Sequence, residues 1–472
     1  MSNLLAALSN SGNALGVLQQ ALNVIQNNVS NASTPGYARQ RLNLEAQPLV
    51  VTGGLAGGVA ARGLQSSRDE YVEEQVQLQT QALGKYTAQA QATNTIQSFF
   101  DVSGNGGLPA ALDNLLSSFS AWSAAPSDPA ARQNVLTSAG SLAQSISGLA
   151  NSLSGASGQL DGQISSTVSQ INAIAGQIQQ YNVQRLQQSA PDPGTDAQLH
   201  SALDNLSQLT NFTTVTQNDG TVTVMLAGGS PLVIGIQQYQ LAVSNSVDTP
   251  AANPASPPTA HIVDSQGHDL TSQVDSGQLG GLLDVRNRVL GSILGDSQQA
   301  GTLNQFAKSL ADSVNQILEA GKVSTAAGAG SGVALFSYDA SDATATARSL
   351  ALNPAITPDQ LAPVDAAGTA NGNANQLASL GSQTVIGGQS LVQYLSQIAG
   401  SVGQENRDAT TSQTTQQQIA AQATSLRNQV SGVSLDSEAV NVLQFQRAYQ
   451  AVAHVLTVLN SLADTTLSLI QP

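Results

Sequence analysis

The chain has 472 residues, 41% of them hydrophobic; that is too long for one ordinary core and too apolar for wholesale disorder, so two to four structural units are expected. Charged residues make up only 10%, and the net charge is −15, an acidic balance that excludes nucleic acid, whose phosphates demand Lys and Arg. Without a cysteine, disulfides and thiolate metal sites are excluded, no apolar run approaches the length of a membrane span, and the N-terminus lacks the basic region and solid apolar stretch of a cleaved signal peptide, so any export is expected to take another route.

The first charged side chain is Arg39. Before it, Leu8, Leu15, Leu22 and Val29 fall at heptad position a, and Leu4, Ser11, Leu18, Ile25 and Ala32 at d, the 4-3 spacing of a coiled coil. A second stripe lies beside this seam: Ala7, Ala14 and Ala21 at g, Val17 and Val24 at c. The arc is wider than a two-stranded seam requires, which predicts more than one neighbour. Without charges the helix gains nothing from ion pairs. Alone it is marginal, so both termini are expected to be mobile in an isolated monomer and to order against each other and against neighbouring subunits. The helix ends near Asn31. Thr34-Pro35-Gly36-Tyr37 predicts a type II turn, and Asn27, Asn28 and Asn31 can bond backbone groups without carrying charge into an interface.

Downstream, residues 65–100 read as helical, with Tyr71, Val72, Val76, Leu78 and Leu83 on a loose 3–4 spacing. Helices are predicted over Pro109–Trp122, Pro129–Leu153 and Gly162–Leu186, then from Asp196 to Leu209 after the breaker APDPG (190–194), together a bundle of long helices. At Phe212 the period changes to two. An NDG turn (Asn218–Gly220) precedes TVTVML, and PLVIG and YQLAV follow. Asp248–Pro258 is a Pro-rich loop, and HIVDSQGHDLT reads as another hairpin. Helix returns over Leu282–Ala320. Residues 321–385 read as Gly-, Ala- and Asn-rich loops, and a helix is predicted from Leu391 to Ser431. The end of the chain repeats the heptad design. Leu435, Val442, Tyr449, Leu456, Ala463 and Ile470 lie at a. Phe445, Val452 and Leu459 lie at d, together with polar Glu438 and Thr466. Ala448, Ala451, Val455, Val458, Leu462 and Leu469 flank the seam, and Ser434 is the predicted N-cap.

The expected fold is therefore mainly α: terminal helices forming a coiled coil, a long-helix bundle and an inserted small β-rich domain. The expected units are 1–64 (first half of the coil plus a turn and extended segment), 65–211 (bundle, first part), 212–277 (β insert), 278–431 (bundle, second part, loop-rich at 323–387) and 432–472 (C-terminal helix). An out-and-back path predicts both termini at one end and the insert projecting at the other.

Two stretches carry a family resemblance. ALNVIQNNVSNASTPGYARQR (Ala21–Arg41) resembles the N-terminal signature of the bacterial flagellar axial proteins, the family of rod, hook and hook–filament junction subunits. GVSLDSEAVNVLQFQRAYQAVAHVL (Gly432–Leu456) resembles the matching C-terminal signature. The internal stretches Gly57–Val76, Asp128–Ile146 and Gly277–Leu294 resemble the hook–filament junction members of that family, and the resemblance is weakest over about 323–387. It implies a structural role without catalysis or cofactor. Terminal helices would line the inside of a tube and the β domain would face outward. The seam residues Leu8, Leu15, Leu18, Leu22, Ile25, Val29, Val442, Phe445, Tyr449, Val452, Leu456 and Leu459 would form subunit contacts in a helical or ring assembly of copies. The implied partners are the hook protein, hook-associated protein 3 and an export chaperone holding the C-terminal helix, with neither nucleic acid nor membrane insertion. The implied location is extracellular, at the junction, after flagellar type III export without a cleaved signal. A hook or distal rod protein is the alternative within the family, and a secreted enzyme using the β insert is the alternative outside it.

Residues for catalysis are sparse. His261, Asp264, His268 and Asp269 lie within nine residues and invite a metal, but Gln266-Gly267 is a turn and the reading is a solvated hairpin. Around Lys322 a phosphate loop fails, because the first Gly is misplaced and Val323 stands where Ser or Thr should follow. His200 and His454 sit on predicted helices and read as structural.

Overall fold

A computed structural model describes residues 2–50, 55–100, 107–188, 192–244 and 258–468. The Pro-rich loop, apart from Pro258, part of the 190–194 breaker, and the seam residues Leu469 and Ile470 lie outside them. The chain is mainly α and falls into a terminal coil and a helical body.

The coil is built from both ends of the chain. Helix α1 (Ser2–Ser30) carries no acidic residue in its first turn and no basic residue in its last. The chain then turns and runs into an antiparallel hairpin, β1 (Gln40–Val50) and β2 (Leu55–Ser66), in register from Gln40↔Ser66 to Val50↔Leu55, with an irregularity between Leu42 and Leu44. Along one side α1 packs against the C-terminal helix (Leu435–Ser468), along another against β2. The wide apolar arc of α1 thus has two partners within the chain. Asn10 at position c donates to the Gly57 carbonyl at 2.6 Å, which sets the c/g stripe against the hairpin, and Val17, Ala21 and Ile25 are its most buried apolar residues. What the sequence marks only as an extended segment is this long hairpin.

The body begins with α2 (Glu70–Phe99), α3 (Gly107–Ala124), α4 (Pro129–Gln187) and α5 (Pro193–Leu209). Aspartates cap three of them: Asp69 accepts from Val72 N, Asp128 from Ala130 N and Asp192 from Thr195 N. Helix α4 runs unbroken for 59 residues, or about 90 Å at 1.5 Å per residue, where the sequence predicts two helices separated at 154–161. Gly155, Gly158 and Gly162 all lie on its exposed side, while Leu153, Ala156, Leu160 and Ile164 keep the apolar stripe in step and buried. That burial outweighs the cost of about 1 kcal/mol that each helical glycine carries.

Strands β3 (Phe212–Thr216), β4 (Val222–Leu226), β5 (Pro231–Ile234) and β6 (Gln237–Gln238) form an antiparallel meander in that order. β7 (Ala242–Ser244) pairs with β8 (His261–Val263). Among the described residues this unit has no core of its own: Val222, Val224, Leu226, Leu232, Val233 and Ile262 belong to the same hydrophobic cluster as the helices. It also does not project from the end opposite the termini. It lies against α4 at Asn172 and Asn182, and Gln81 of α2 reaches the Phe212 carbonyl, so it sits on the flank near the coil. The reason is local: α5 ends at Leu209 and β3 begins at Phe212, which leaves too little chain to carry the sheet away.

Residues 282–320 are not one helix. α6 (Gly277–Leu283) continues through a π-helical turn at Asp284–Val289 into α7 (Leu290–Leu294), and α8 (Thr302–Glu319) starts after a reversal. Gly295 and Gly301 make the reversal possible, with φ of 88° and 83° and backbones so close that a Cβ on either would meet the other strand of the loop. The segment expected as loops, 321–385, carries only short elements, β9 (Phe336–Ser337), α9 (Thr346–Ser349), β10 (Ala351–Leu352) and α10 (Gly372–Ala378), yet it is packed: Leu335, Phe336, Leu350, Leu361, Val364, Leu377 and Leu380 are buried. Helix α11 (Leu391–Ser431) starts at a Ser390–Gln393 capping box and packs along α2. The pairs Glu73–Arg427, Gln79–Gln416, Thr87–Gln413 and Thr93–Asn406 show that the two run antiparallel. α12 is the C-terminal helix Leu435–Ser468.

Asparagine tethers recur through the body. Asn172 bonds the backbone of Leu241 in both directions, Asn182 that of Val222, Asn287 that of Ala260 and Asn315 that of Phe336. One carboxamide supplies a donor and an acceptor, so a helix face can hold an irregular strand as another strand would, without a charge to desolvate.

Candidate functional site: the joint between coil and body

The turn after α1 is where the coil meets the body. Tyr37 N donates to the Thr34 carbonyl at 3.1 Å and Gly36 has φ of 73°, the type II geometry expected from TPGY. Gly36 lies flat on α5: a Cβ there would stand 2.2 Å from the Ala197 carbonyl oxygen and 2.7 Å from Ser201 N. Only glycine permits both the φ and the approach.

Three asparagines shape the entry. Asn28, 1% exposed, donates to the Gln40 carbonyl at 2.8 Å and accepts from Gln40 N at 2.9 Å, fastening the helix end to the first residue of the hairpin. The Tyr37 hydroxyl donates toward the Oδ1 atoms of Asn27 and Asn28, both at 2.9 Å. Asn31 bonds back to Asn27, and Thr34 to Asn31. Burial, then the charge of Glu438, pushes the Tyr37 hydroxyl up to about 12, so it stays a donor.

Two ionic contacts tie this turn to distant parts of the chain. Arg39 Nε lies 2.6 Å from Glu438 Oε1, and the glutamate side chain is 1% exposed. This accounts for a carboxylate at heptad position d: it answers the first charge in the chain. Arg39 N donates to the Ser431 carbonyl and Ser67 N to the Arg39 carbonyl, so N-terminal turn, hairpin exit and the α11–α12 link converge on one residue. Arg68 donates to the Gly36 carbonyl at 2.6 Å, to Asp196 at 2.9 Å and to Glu73 at 2.8 Å. Arg427 of α11 reaches Asp204 at 2.7 Å and Glu73 at 3.4 Å.

The seam residues have the following places. Leu8, Leu15, Leu18 and Leu22 are half-buried and Ile25 buried, whereas Val29 is exposed beside the turn. On α12, Val442, Phe445, Tyr449, Val452, Leu456 and Leu459 are half-buried in a 3–4 rhythm between exposed neighbours. Beside that seam Val455, Val458 and Leu462 are each more than half exposed among the described residues, and so are Val440 and Leu443 farther around the helix. His454 is on the outside of α12 and His200 inside the joint. The insert's histidines form two separate surface pairs, His261 with Asp269 at 2.8 Å and His268 with Asp264 at 2.9 Å. Among the described residues no three His, Cys, Asp or Glu side chains meet as metal ligands. The Lys322 backbone bridges to Ser331 and Val364 in the packed segment. Sequence reasoning missed the cluster of Arg68, Glu73, Asp196, Asp204 and Arg427. Its one available signal is the dense charge run RDEYVEE at Arg68–Glu74 in a chain otherwise poor in charge.

A family described as the flagellar hook-associated protein FlgK helical domain matches residues 93–336, more than half of the chain. The chain belongs to the flagellar hook-associated protein FlgK family. It is thus a hook-associated component of the bacterial flagellum. Two further families match its ends, the flagella basal body rod protein family at residues 8–37 and the basal body rod FlgEFG protein C-terminal family at 427–469. These hold both sides of the joint, from α1 through Tyr37 and from Arg427 along α12. Flagellar hook-associated protein 1 of Bacillus subtilis is 25% identical, aligned over 99% of each chain. That of Escherichia coli is 25% identical over 98% of this chain and 99% of its own. The flagellar hook junction protein FlgK of Burkholderia pseudomallei shares the fold, with a TM-score of 0.64 at 18% identity over 77% of this chain and 100% of its own.

Proposed function

We propose that this protein is a non-catalytic adaptor that joins hook to filament by polymerising through its paired terminal helices. The observation that carries the reading is the uncovered stripe of α12. On α1 the chain's own hairpin packs along the helix and takes a bond from Asn10, while on α12 Val440, Leu443, Val455, Val458 and Leu462 are exposed. A large apolar surface beside a formed coil is what an axial subunit offers to the next copy. The seam residues themselves, Val29 beside the turn included, would pack tighter once neighbours close around the coil. Hook protein on one side, hook-associated protein 3 on the other, an export chaperone on α12 before secretion, and export without a cleaved signal complete the proposal.

The test is a cell lacking residues 440–472, alongside one carrying Val455→Asp and Leu462→Asp. Both should make hooks without filaments and shed filament subunits into the medium. Normal filaments on the double substitution would refute the role given to this stripe.

A further inference from the structure

One buried titratable group in the joint forms none of its tethers. His200 stands on the turn of α5 whose Ala197 carbonyl and Ser201 amide lie against Gly36. Its side chain is 17% exposed, its Nε2 is 3.6 Å from Asp196 Oδ1, and its Nδ1 is buried with no hydrogen-bond partner among the described residues. The other oxygen of Asp196 accepts from Arg68 Nη2, the same nitrogen that holds the Gly36 carbonyl. Ionisable groups face this space from every element around it: Arg68, Glu70, Glu73 and Glu74 from the start of α2, Asp196 and Asp204 from α5, Tyr181 and Arg185 from α4, and Arg427 from α11. Arg68, Glu70, Glu73, Glu74, Tyr181 and Asp196 border, with His200, a cleft of about 620 Å³ that separates α2 and α5 from the first strand of the insert.

We propose that this cluster is an acid-released latch: neutral His200 lets Arg68 clamp the Gly36 turn onto α5, and protonation of His200 frees that turn from α5. A proton on His200 places a third cation beside the Arg68 and Arg427 guanidiniums. The imidazolium also pairs with Asp196 Oδ1, which divides that carboxylate's charge between His200 and Arg68. Glu73 still holds Arg68 Nη1 at 2.8 Å, so what weakens the bond from Nη2 to the Gly36 carbonyl is the repulsion between the imidazolium and the guanidinium. Burial, then the Arg68 charge, lowers His200 from 6.5 to about 4; Asp196 pulls the other way and Arg427 adds to the lowering. The closed joint therefore takes up a proton less readily than the open one. Closure is at full strength above the ordinary histidine range and weakens as the pH falls below it.

The chain has no cysteine, so spin labels can be placed singly in the full-length protein. Ser33→Cys on the turn and Gln198→Cys on α5, both exposed, report the joint by dipolar spectroscopy at pH 7.5 and pH 5. Fluorescence of Trp122, buried in the body core, reports folding of the body in the same samples. The expected result is one short distance at pH 7.5 and a second, longer population at pH 5, with Trp122 unchanged. His200→Gln, which cannot take the proton, should keep the short distance at both pH values, and Arg68→Ala should show the long population at both. Should His200→Gln disturb the Trp122 signal, His200→Leu takes its place. The latch is overturned by identical distances at the two pH values, by opening of the His200 variant at pH 5 as in the native chain, or by loss of the Trp122 signal together with opening.

Discussion

Removing Arg39 is the sharpest perturbation the joint offers. Glu438 is 1% exposed, and its carboxylate has one cationic partner, at 2.6 Å. Arg39→Ala leaves the backbone bond from residue 39 to the Ser431 carbonyl in place, so what is lost is the countercharge. Deleting one member of a buried pair costs about 3–5 kcal/mol, most of it the penalty of the stranded charge. That loss falls on the first turn of α12 and on the end of α1, because the hydrophobic cluster of the body includes neither. Hydrogen exchange should register it as amides of the first turns of α12 opening at least a hundredfold faster, with those along the buried stripe of α4 unchanged. Arg39→Ala with Glu438→Leu should recover most of the protection, since an apolar side chain at heptad position d replaces a buried pair at little or no cost. Acceleration below tenfold, or a double variant as labile as the single one, would refute the claim that a stranded charge is the cause.

Three further outcomes follow from the same contacts. Gly36→Ala sets a Cβ into the Ala197 carbonyl at a positive φ; it should detach the turn from α5, at a cost of at least ~1–2 kcal/mol for the backbone conformation alone, seen as faster thiol labelling of a cysteine placed at Ser201. Asn182 is fully buried and donates to both Val222 and Gly235; Asn182→Asp removes both donors and sets an anion against two carbonyls, so denaturation followed by Trp122 fluorescence should report a loss of about 3 kcal/mol or more. Because its folded-state pKa lies below the ordinary value, His200 lowers stability as pH falls from 6.5 toward about 4, by about 3 kcal/mol in all. His200→Gln should flatten that part of the stability–pH curve.

The heptads were legible because their apolar residues repeat at fixed intervals, and those intervals set the half-buried rhythm on α12. The TPGY turn was legible because Pro and Gly each fix a backbone angle. The joint was not, since Arg68 meets Asp196 across 128 residues and Arg427 meets Glu73 across 354, and no local pattern encodes such pairs. Glu438 shows the same limit: sequence marks it as the wrong residue for its position, and only the fold brings Arg39 to it. Residues 321–385 escaped for a different reason. Their apolar side chains have no period, and the tethers that hold them, Asn304, Asn315 and Asn373, look in sequence like ordinary polar positions on a helix or loop. The position of the β insert is not legible because chain order is no measure of distance: two residues between α5 and β3 keep the sheet beside the joint.

The uncovered stripe of α12 also sets how this chain should associate. Five large apolar residues, each a little over half exposed, would yield about 4–8 kcal/mol if covered completely, at roughly 1.5–3 kcal/mol per fully buried side chain. Fixing two proteins together costs an estimated 4–15 kcal/mol. One such contact therefore barely offsets the cost of forming it, and these five residues, at heptad positions f, b, g, c and g, spread over an arc wider than the face one neighbouring helix covers. A subunit held by several neighbours at once meets the cost once and gains from each. The chain alone should sediment as a monomer at micromolar concentration, and Leu443→Asp should leave that value unchanged while abolishing incorporation at the hook tip. A stable dimer at micromolar concentration, dispersed by Leu443→Asp, would show that one neighbour suffices and that assembly does not depend on closing the coil from several sides.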